Sequence, residues 1–123
     1  MTVRPLAILV VDDDPTIRTI LASMLGPLGH RVTAVGTVAA ALEHLADASF
    51  DAALVDIHMK PEDGISLIER IRATGSRMPV AVISGDCTHE DLDRLQRAGG
   101  ADVMLKPVTR HAVTGFLGRV GLE

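Results

Sequence analysis

Three consecutive aspartates, Asp12, Asp13 and Asp14, follow the apolar run Leu6 to Val11, and a fourth, Asp56, follows a second run, Ala52 to Val55. Two later strand candidates end the same way: Ser84-Gly85 follows Val80 to Ile83, and Lys106-Pro107 follows Ala101 to Leu105. Carboxylates packed together repel one another unless a cation sits between them, so the acidic set reads as a site for a hard metal. Mg²⁺ suits it, because that ion takes oxygen ligands and keeps waters beside one or two carboxylates. The other residues supply what phosphoryl transfer requires. Lys106 offers a mobile positive point charge, Ser84 a hydroxyl, and Gly85 a backbone N–H open to close approach. One carboxylate could then act as nucleophile and form an acyl phosphate.

These groups meet only if the apolar runs are neighbours in one sheet. The runs before Asp12 and Asp56 are short and aliphatic, the pattern of a strand buried on both faces of a parallel sheet. In such sheets ligands lie at the carboxyl ends of the strands, where every one of these polar groups stands. Segments of helical periodicity separate the runs. Asp14 suits an N-cap and Pro15 the first helical position, ahead of Ile17, Ile20, Leu21, Met24 and Leu25; Gly26-Pro27 and Gly29 close that helix. A second strand, Arg31 to Val35, leads to Val35-Gly36-Thr37 and a helix carried by Ala41, Leu42 and Leu45. The third strand, Asp51 to Val55, is followed by the loop His58 to Gly64 and a helix marked by Ile65, Ile68 and Ile71. Thr88 with Asp91 resembles a capping box before Leu92 and Leu95, and Gly99-Gly100 stops that helix. A last helix places Val113, Phe116, Leu117 and Val120 on one side, weakened by Gly115, Gly118 and Gly121. The alternation predicts one α/β domain over residues 1–123, a doubly wound (βα)5 fold with right-handed crossovers. Strand-end Asp and Ser often only cap the next helix, which explains Asp14. Capping does not explain three carboxylates, a hydroxyl and an ammonium gathered on one edge.

Composition narrows the function. The chain has 123 residues, 47% hydrophobic and 23% charged, enough apolar material for one core. With Phe50 and Phe116 as the sole aromatics, base-stacking platforms are nearly absent. A formal net charge of -4 disfavours a broad phosphate-binding surface, so direct nucleic-acid binding is not expected. One cysteine, Cys87, excludes an internal disulfide and fits a reducing compartment. No apolar stretch is long enough for a bilayer, and the opening Met1-Thr2-Val3-Arg4-Pro5 does not read as a signal peptide. The expected location is cytoplasmic, away from membranes. His30, His44, His89 and His111 read as solvated, and Arg70, Arg72, Arg94 and Arg97 as cations near helix C-termini.

Taken together, Val10-Val11-Asp12-Asp13-Asp14, Asp56-Ile57-His58-Met59, Gly64 eight residues after Asp56, Ser84-Gly85 and Lys106-Pro107 resemble the receiver domain of bacterial two-component response regulators. The likeness covers essentially the whole chain. It implies a CheY-like, flavodoxin-like sheet of five parallel strands in the order 2-1-3-4-5. It also implies that Asp56 is the phosphoacceptor, served by a sensor histidine kinase or a histidine phosphotransfer protein. Asp13, Asp56 and the backbone carbonyl of His58 would bind Mg²⁺ directly, and Asp12 largely through water. Ser84 would hydrogen-bond the phosphoryl oxygen and shift on phosphorylation, Lys106 would pair with the phosphoryl group, and the Lys106–Pro107 bond would be cis. A downstream output domain or target protein would read the change, and homodimers would form through the fourth helix, fifth strand and fifth helix. The resemblance implies no enzyme beyond Mg²⁺-dependent self-phosphorylation and slow autodephosphorylation.

The chain departs from the family pattern in three places. Val103 stands three before the lysine, where an aromatic switch residue is usual, and a valine has no ring to swing behind Ser84. In Met59-Lys60-Pro61 the proline comes one place late. His58 lies two after the acceptor, where side chains influence attack by water. Two other readings are carried alongside. One is a receiver-like interaction module that phosphorylation does not regulate, which Val103 favours. The other is a haloacid-dehalogenase-like phosphatase using Asp12 in Asp12-x-Asp14-x-Thr16; it leaves Asp56 unused and lacks an acidic pair after Lys106.

Overall fold

The computed structural model describes residues 4–121; Met1 to Val3 of the amino-terminal stretch, and Leu122 and Glu123, lie outside the described residues. Five strands alternate with five helices: β1 (Ala7–Val11), α1 (Pro15–Leu25), β2 (Arg31–Val35), α2 (Val38–Asp47), β3 (Ala52–Asp56), α3 (Gly64–Ala73), β4 (Val80–Ser84), α4 (His89–Arg97), β5 (Asp102–Leu105) and α5 (Arg110–Gly121). All strand pairs are parallel and the sheet order is β2-β1-β3-β4-β5. The doubly wound topology with strand order 2-1-3-4-5 is thus the observed fold.

Residue alternation along the central strands divides the core in two. Leu9, Val11, Ala53, Val55, Val80 and Val82 face α2, α3 and α4, meeting Ala41, Ile65, Ile68 and Leu95. Ile8, Val10, Leu54, Ala81 and Ile83 face α1 and α5, meeting Leu21, Leu25, Val113, Phe116 and Leu117. β3 and β4 are buried throughout. The edge strands β2 and β5 are not: Arg31, Ala34, Asp102, Val103 and Leu105 are exposed, since an edge has a neighbour on one side only. α5 forms despite its glycines because burial of Val113, Phe116 and Leu117 outweighs weak propensity.

The helix starts follow from their caps. Asp14 accepts from Thr16 N–H at 2.8 Å, Thr37 from Ala40 N–H at 3.0 Å and Asp63 from Ser66 N–H at 2.9 Å. Thr88 and Asp91 form the reciprocal capping box. The expectation that His30 is solvated is overturned. His30 is buried, its Nδ1 accepts the Leu6 N–H at 3.0 Å, and burial lowers its pKa from the usual histidine value. The neutral ring serves the backbone where β1 begins. Arg72 also turns inward, donating to the carbonyls of Ser76 at 3.3 Å and Met78 at 2.8 Å, which ties down the chain between α3 and β4.

Candidate functional site

Strand register sets the lateral spacing of the polar groups. Val11 pairs with Val55, Asp56 with Ile83 and Ser84 with Leu105, so Asp12, Asp56, Ser84 and Lys106 succeed one another across the carboxyl edge of the sheet. The Lys106 N–H donates to the Ser84 carbonyl at 2.8 Å and continues the ladder one step beyond β5. Asp12 and Asp56 are buried and Asp13 is exposed, and one carboxylate oxygen from each of the three lies within 4.8 Å of the others. Lys106 Nζ stands 3.6 Å from Asp12 Oδ2 and 3.6 Å from Asp56 Oδ1.

Asp12 is held from several directions. Its N–H donates to the Val35 carbonyl, its carbonyl accepts from Arg18 Nη1 at 2.7 Å, and its Oδ1 accepts the Asp14 N–H at 2.9 Å. Oδ2 is buried and has no hydrogen-bond partner. Burial raises the Asp12 pKa above the ordinary aspartate value; the Asp14 N–H and Lys106 oppose this, and the charges of Asp56 and Asp13 add to it. An orphaned buried oxygen normally finds a donor or a cation. Here the Lys106 ammonium is its ion-pair partner at 3.6 Å, and the grouped carboxylates of Asp12, Asp13 and Asp56 form an all-oxygen donor set that fits Mg²⁺.

Other residues shape the surroundings. Gly64, at the start of α3, lies so close to the Asp56 backbone that an added Cβ would overlap the Asp56 carbonyl oxygen. Its N–H donates to the Ile57 carbonyl at 2.9 Å, closing the loop from Asp56 to α3. Around Gly85, by contrast, a Cβ would meet nothing within 4 Å. The Ser84 hydroxyl donates to the Asp86 carbonyl at 2.7 Å and accepts the Asp86 N–H at 3.0 Å. The Lys106–Pro107 peptide is cis, and so is Lys60–Pro61. Val103 sits on β5 opposite Val82 and is exposed.

Three contacts escaped the sequence. Arg18 reaches the Asp12 carbonyl past Gly36, where a Cβ would stand 3.1 Å from Arg18 Nη1. The His58 ring approaches the Asp86 carbonyl at 2.7 Å through Nε2 and Asp91 Oδ2 at 3.8 Å, joining the loops after β3 and β4. Arg94 of α4 pairs with Asp63, the cap of α3, at 2.8 Å. A lone arginine or histidine in a polar segment gives no signal of its partner; only the fold does. Away from this edge, a groove of about 420 Å³ lined by Leu42, Leu45, Phe50, Ile71 and Met78 holds none of the acidic residues.

The model of the response regulator receiver domain family matches residues 8–116. The sensory/regulatory protein RpfC of Xanthomonas campestris is 34% identical over 110 residues, covering 86% of this chain and 15% of that protein. The sensor histidine kinase RcsC of Salmonella typhi is 36% identical over 106 residues, covering 86% of this chain and 11% of that one. The chain therefore spans a small fraction of these relatives. Among solved structures, the Vibrio cholerae chemotaxis protein CheY4 superposes with a TM-score of 0.88 at 22% identity, covering 94% of this chain and 98% of that one, a likeness of fold.

Proposed function

Because this chain belongs to the response regulator receiver family, we propose that residues 1–123 form one receiver domain that takes a phosphoryl group on Asp56 in a two-component phosphorelay. The single observation that carries this reading is the buried Asp56 carboxylate, 3.6 Å from Lys106 Nζ and grouped with Asp12 and Asp13. In the reaction the Asp56 carboxylate attacks phosphorus of a phosphohistidine, the P–N bond breaks as a P–O bond forms, and the imidazole leaves. Lys106 neutralises charge on the phosphoryl oxygens, and Ser84 donates its hydroxyl once it turns from Asp86. Asp12, Asp13, Asp56 and the His58 carbonyl would hold Mg²⁺, which supplies further charge neutralisation when bound. Gly85 keeps the approach beside Ser84 clear of side chains.

The donor is a sensor histidine kinase or a histidine phosphotransfer protein, a reading supported by likeness to part of RpfC and RcsC. The domain turns over no other substrate; it self-phosphorylates with Mg²⁺ and loses the group slowly. An output domain or target protein reads the state. Exposed Leu92, Val103 and Leu105 on α4 and β5 support a homodimer through the α4-β5-α5 face. No described helix is long and apolar enough to cross a membrane, and a cytoplasmic location is part of the proposal.

Incubation with acetyl phosphate and Mg²⁺ tests the reading. Stable labelling that disappears in Asp56→Asn supports it. Turnover that disappears in Asp12→Asn, with Asp56→Asn still active, points to a phosphatase instead. A second reading, an interaction module indifferent to phosphorylation, draws on Val103. Failure of the wild-type protein to bind beryllofluoride at millimolar Mg²⁺ would favour it.

A further inference from the structure

The carbonyl of Asp86 accepts two hydrogen bonds, one from the Ser84 hydroxyl at 2.7 Å and one from His58 Nε2 at 2.7 Å. A carbonyl only accepts, so Nε2 is the nitrogen that carries the hydrogen. Ser84 and His58 thus meet on one atom, although they follow different strands. The same ring lies 3.8 Å from Asp91 Oδ2, and that carboxylate also accepts the Thr88 N–H at 3.1 Å in the capping box of α4. His58 is therefore the point where the loop after Asp56 touches both the loop after Ser84 and the first turn of α4.

α4 is suited to respond. Of its nine residues only Leu95 is buried, so apolar packing fixes its position weakly and polar ties must do more. Two of those ties run to the segment just after Asp56: Arg94 to Asp63 at 2.8 Å, and His58 to the first turn. Val103, opposite Val82 on β5, is small and exposed, and offers no ring to carry a signal across that strand.

We propose that His58 is a positioning residue that relays the state of Asp56 to α4, by holding the Asp86 carbonyl when Ser84 releases it. This rests on the phosphoacceptor reading above. Ser84 must give up Asp86 to donate to a phosphoryl oxygen, and the His58 Nε2 contact then remains as the protein's own hold on that exposed carbonyl. The His58 N–H keeps the carbonyl satisfied. It also couples any displacement of the loop after β3 to residues 86–91.

The test uses the whole chain, ¹⁵N-labelled, with Mg²⁺ and beryllofluoride. In the wild-type protein the amides of residues 86–91 shift on binding, together with those of residues 12, 13 and 106. His58→Ala removes a side chain 54% exposed and keeps the backbone carbonyl assigned to Mg²⁺, and its shifts are compared with the wild type at saturating beryllofluoride, whatever the affinity. Its shifts at residues 86–91 should fall below half the wild-type size while those at 12, 13 and 106 persist. His58→Gln, which can present an N–H at similar reach, should restore them. Full-sized shifts at 86–91 in His58→Ala, or no recovery in His58→Gln, overturn the relay alone. A wild-type protein that binds no beryllofluoride overturns the phosphoacceptor reading and the relay with it.

Discussion

Gly64 abuts the backbone of Asp56 with no room for a side chain: a Cβ at residue 64 would overlap the Asp56 carbonyl oxygen and come within 2.7 Å of Val55 Cγ1. The obstacle is mainly strand backbone in the centre of the sheet, which cannot yield cheaply. Gly64→Ala is therefore expected to lose about 1–3 kcal/mol of stability, the usual range for overpacking. Urea unfolding measures the loss. Because the displaced atoms carry Asp56, beryllofluoride affinity should also fall at temperatures where the variant is fully folded.

Asp12→Asn should separate stability from function. Burial first, then the charges of Asp56 and Asp13, raise the Asp12 pKa in the metal-free protein. A raised folded-state pKa gives stability that is present below the unfolded value and lost as pH rises through the folded one. At neutral pH the ionised Asp12 is thus a burden when no metal is bound, and the neutral amide removes it. Calorimetry without Mg²⁺ should find the variant more stable, with a midpoint about 4 °C higher if the gain is about 1 kcal/mol. With Mg²⁺ added, the wild-type midpoint should rise and the variant's should not.

Lys106→Ala has the opposite sign. Its ammonium stands between Asp12 and Asp56, and removal leaves two buried carboxylates facing each other. Lys106 is itself partly exposed and its contacts are 3.6 Å long, so the expected loss is about 1–2 kcal/mol, below that of a fully buried pair. Mg²⁺ should recover part of it, and labelling by acetyl phosphate should drop sharply.

What could be read from the sequence were the features that local rules write directly. Aliphatic runs ending in Asp12, Asp56, Ser84 and Lys106 announced the strands and the edge they share, and Asp14-Pro15 and Thr88 with Asp91 marked helix starts. The contacts that stayed hidden depend on which residues meet after crossovers. His30 looks like a polar loop residue until β2 lies beside β1 and brings its ring to the Leu6 N–H. Arg18 looks like an exposed helix residue until α1 folds back over the Asp12 carbonyl. The role of Gly64 was visible as a motif position, and its physical cause only once α3 was seen to start against the Asp56 backbone.

The pair between Asp63 and Arg94 makes a prediction about acid. Burial alone would raise the Asp63 carboxyl, but hydrogen bonds from Arg94 and Ser66 outweigh it and hold the pKa below the usual aspartate value. A depressed folded-state pKa gives stability that is present above the unfolded value and lost as pH falls through the folded one. Asp63→Ala removes the cap of α3 as well as the ion pair, and should cost about 1–2 kcal/mol at neutral pH. Asp63→Asn can still accept from the Ser66 N–H and loses only the charge, for about 0.5 kcal/mol. Denaturant midpoints measured from neutral pH downward should converge for the wild-type and Asn proteins below the ordinary aspartate range, while the Ala variant stays lower. A constant gap between wild type and Asp63→Asn across that range would mean that the carboxylate charge contributes nothing to stability.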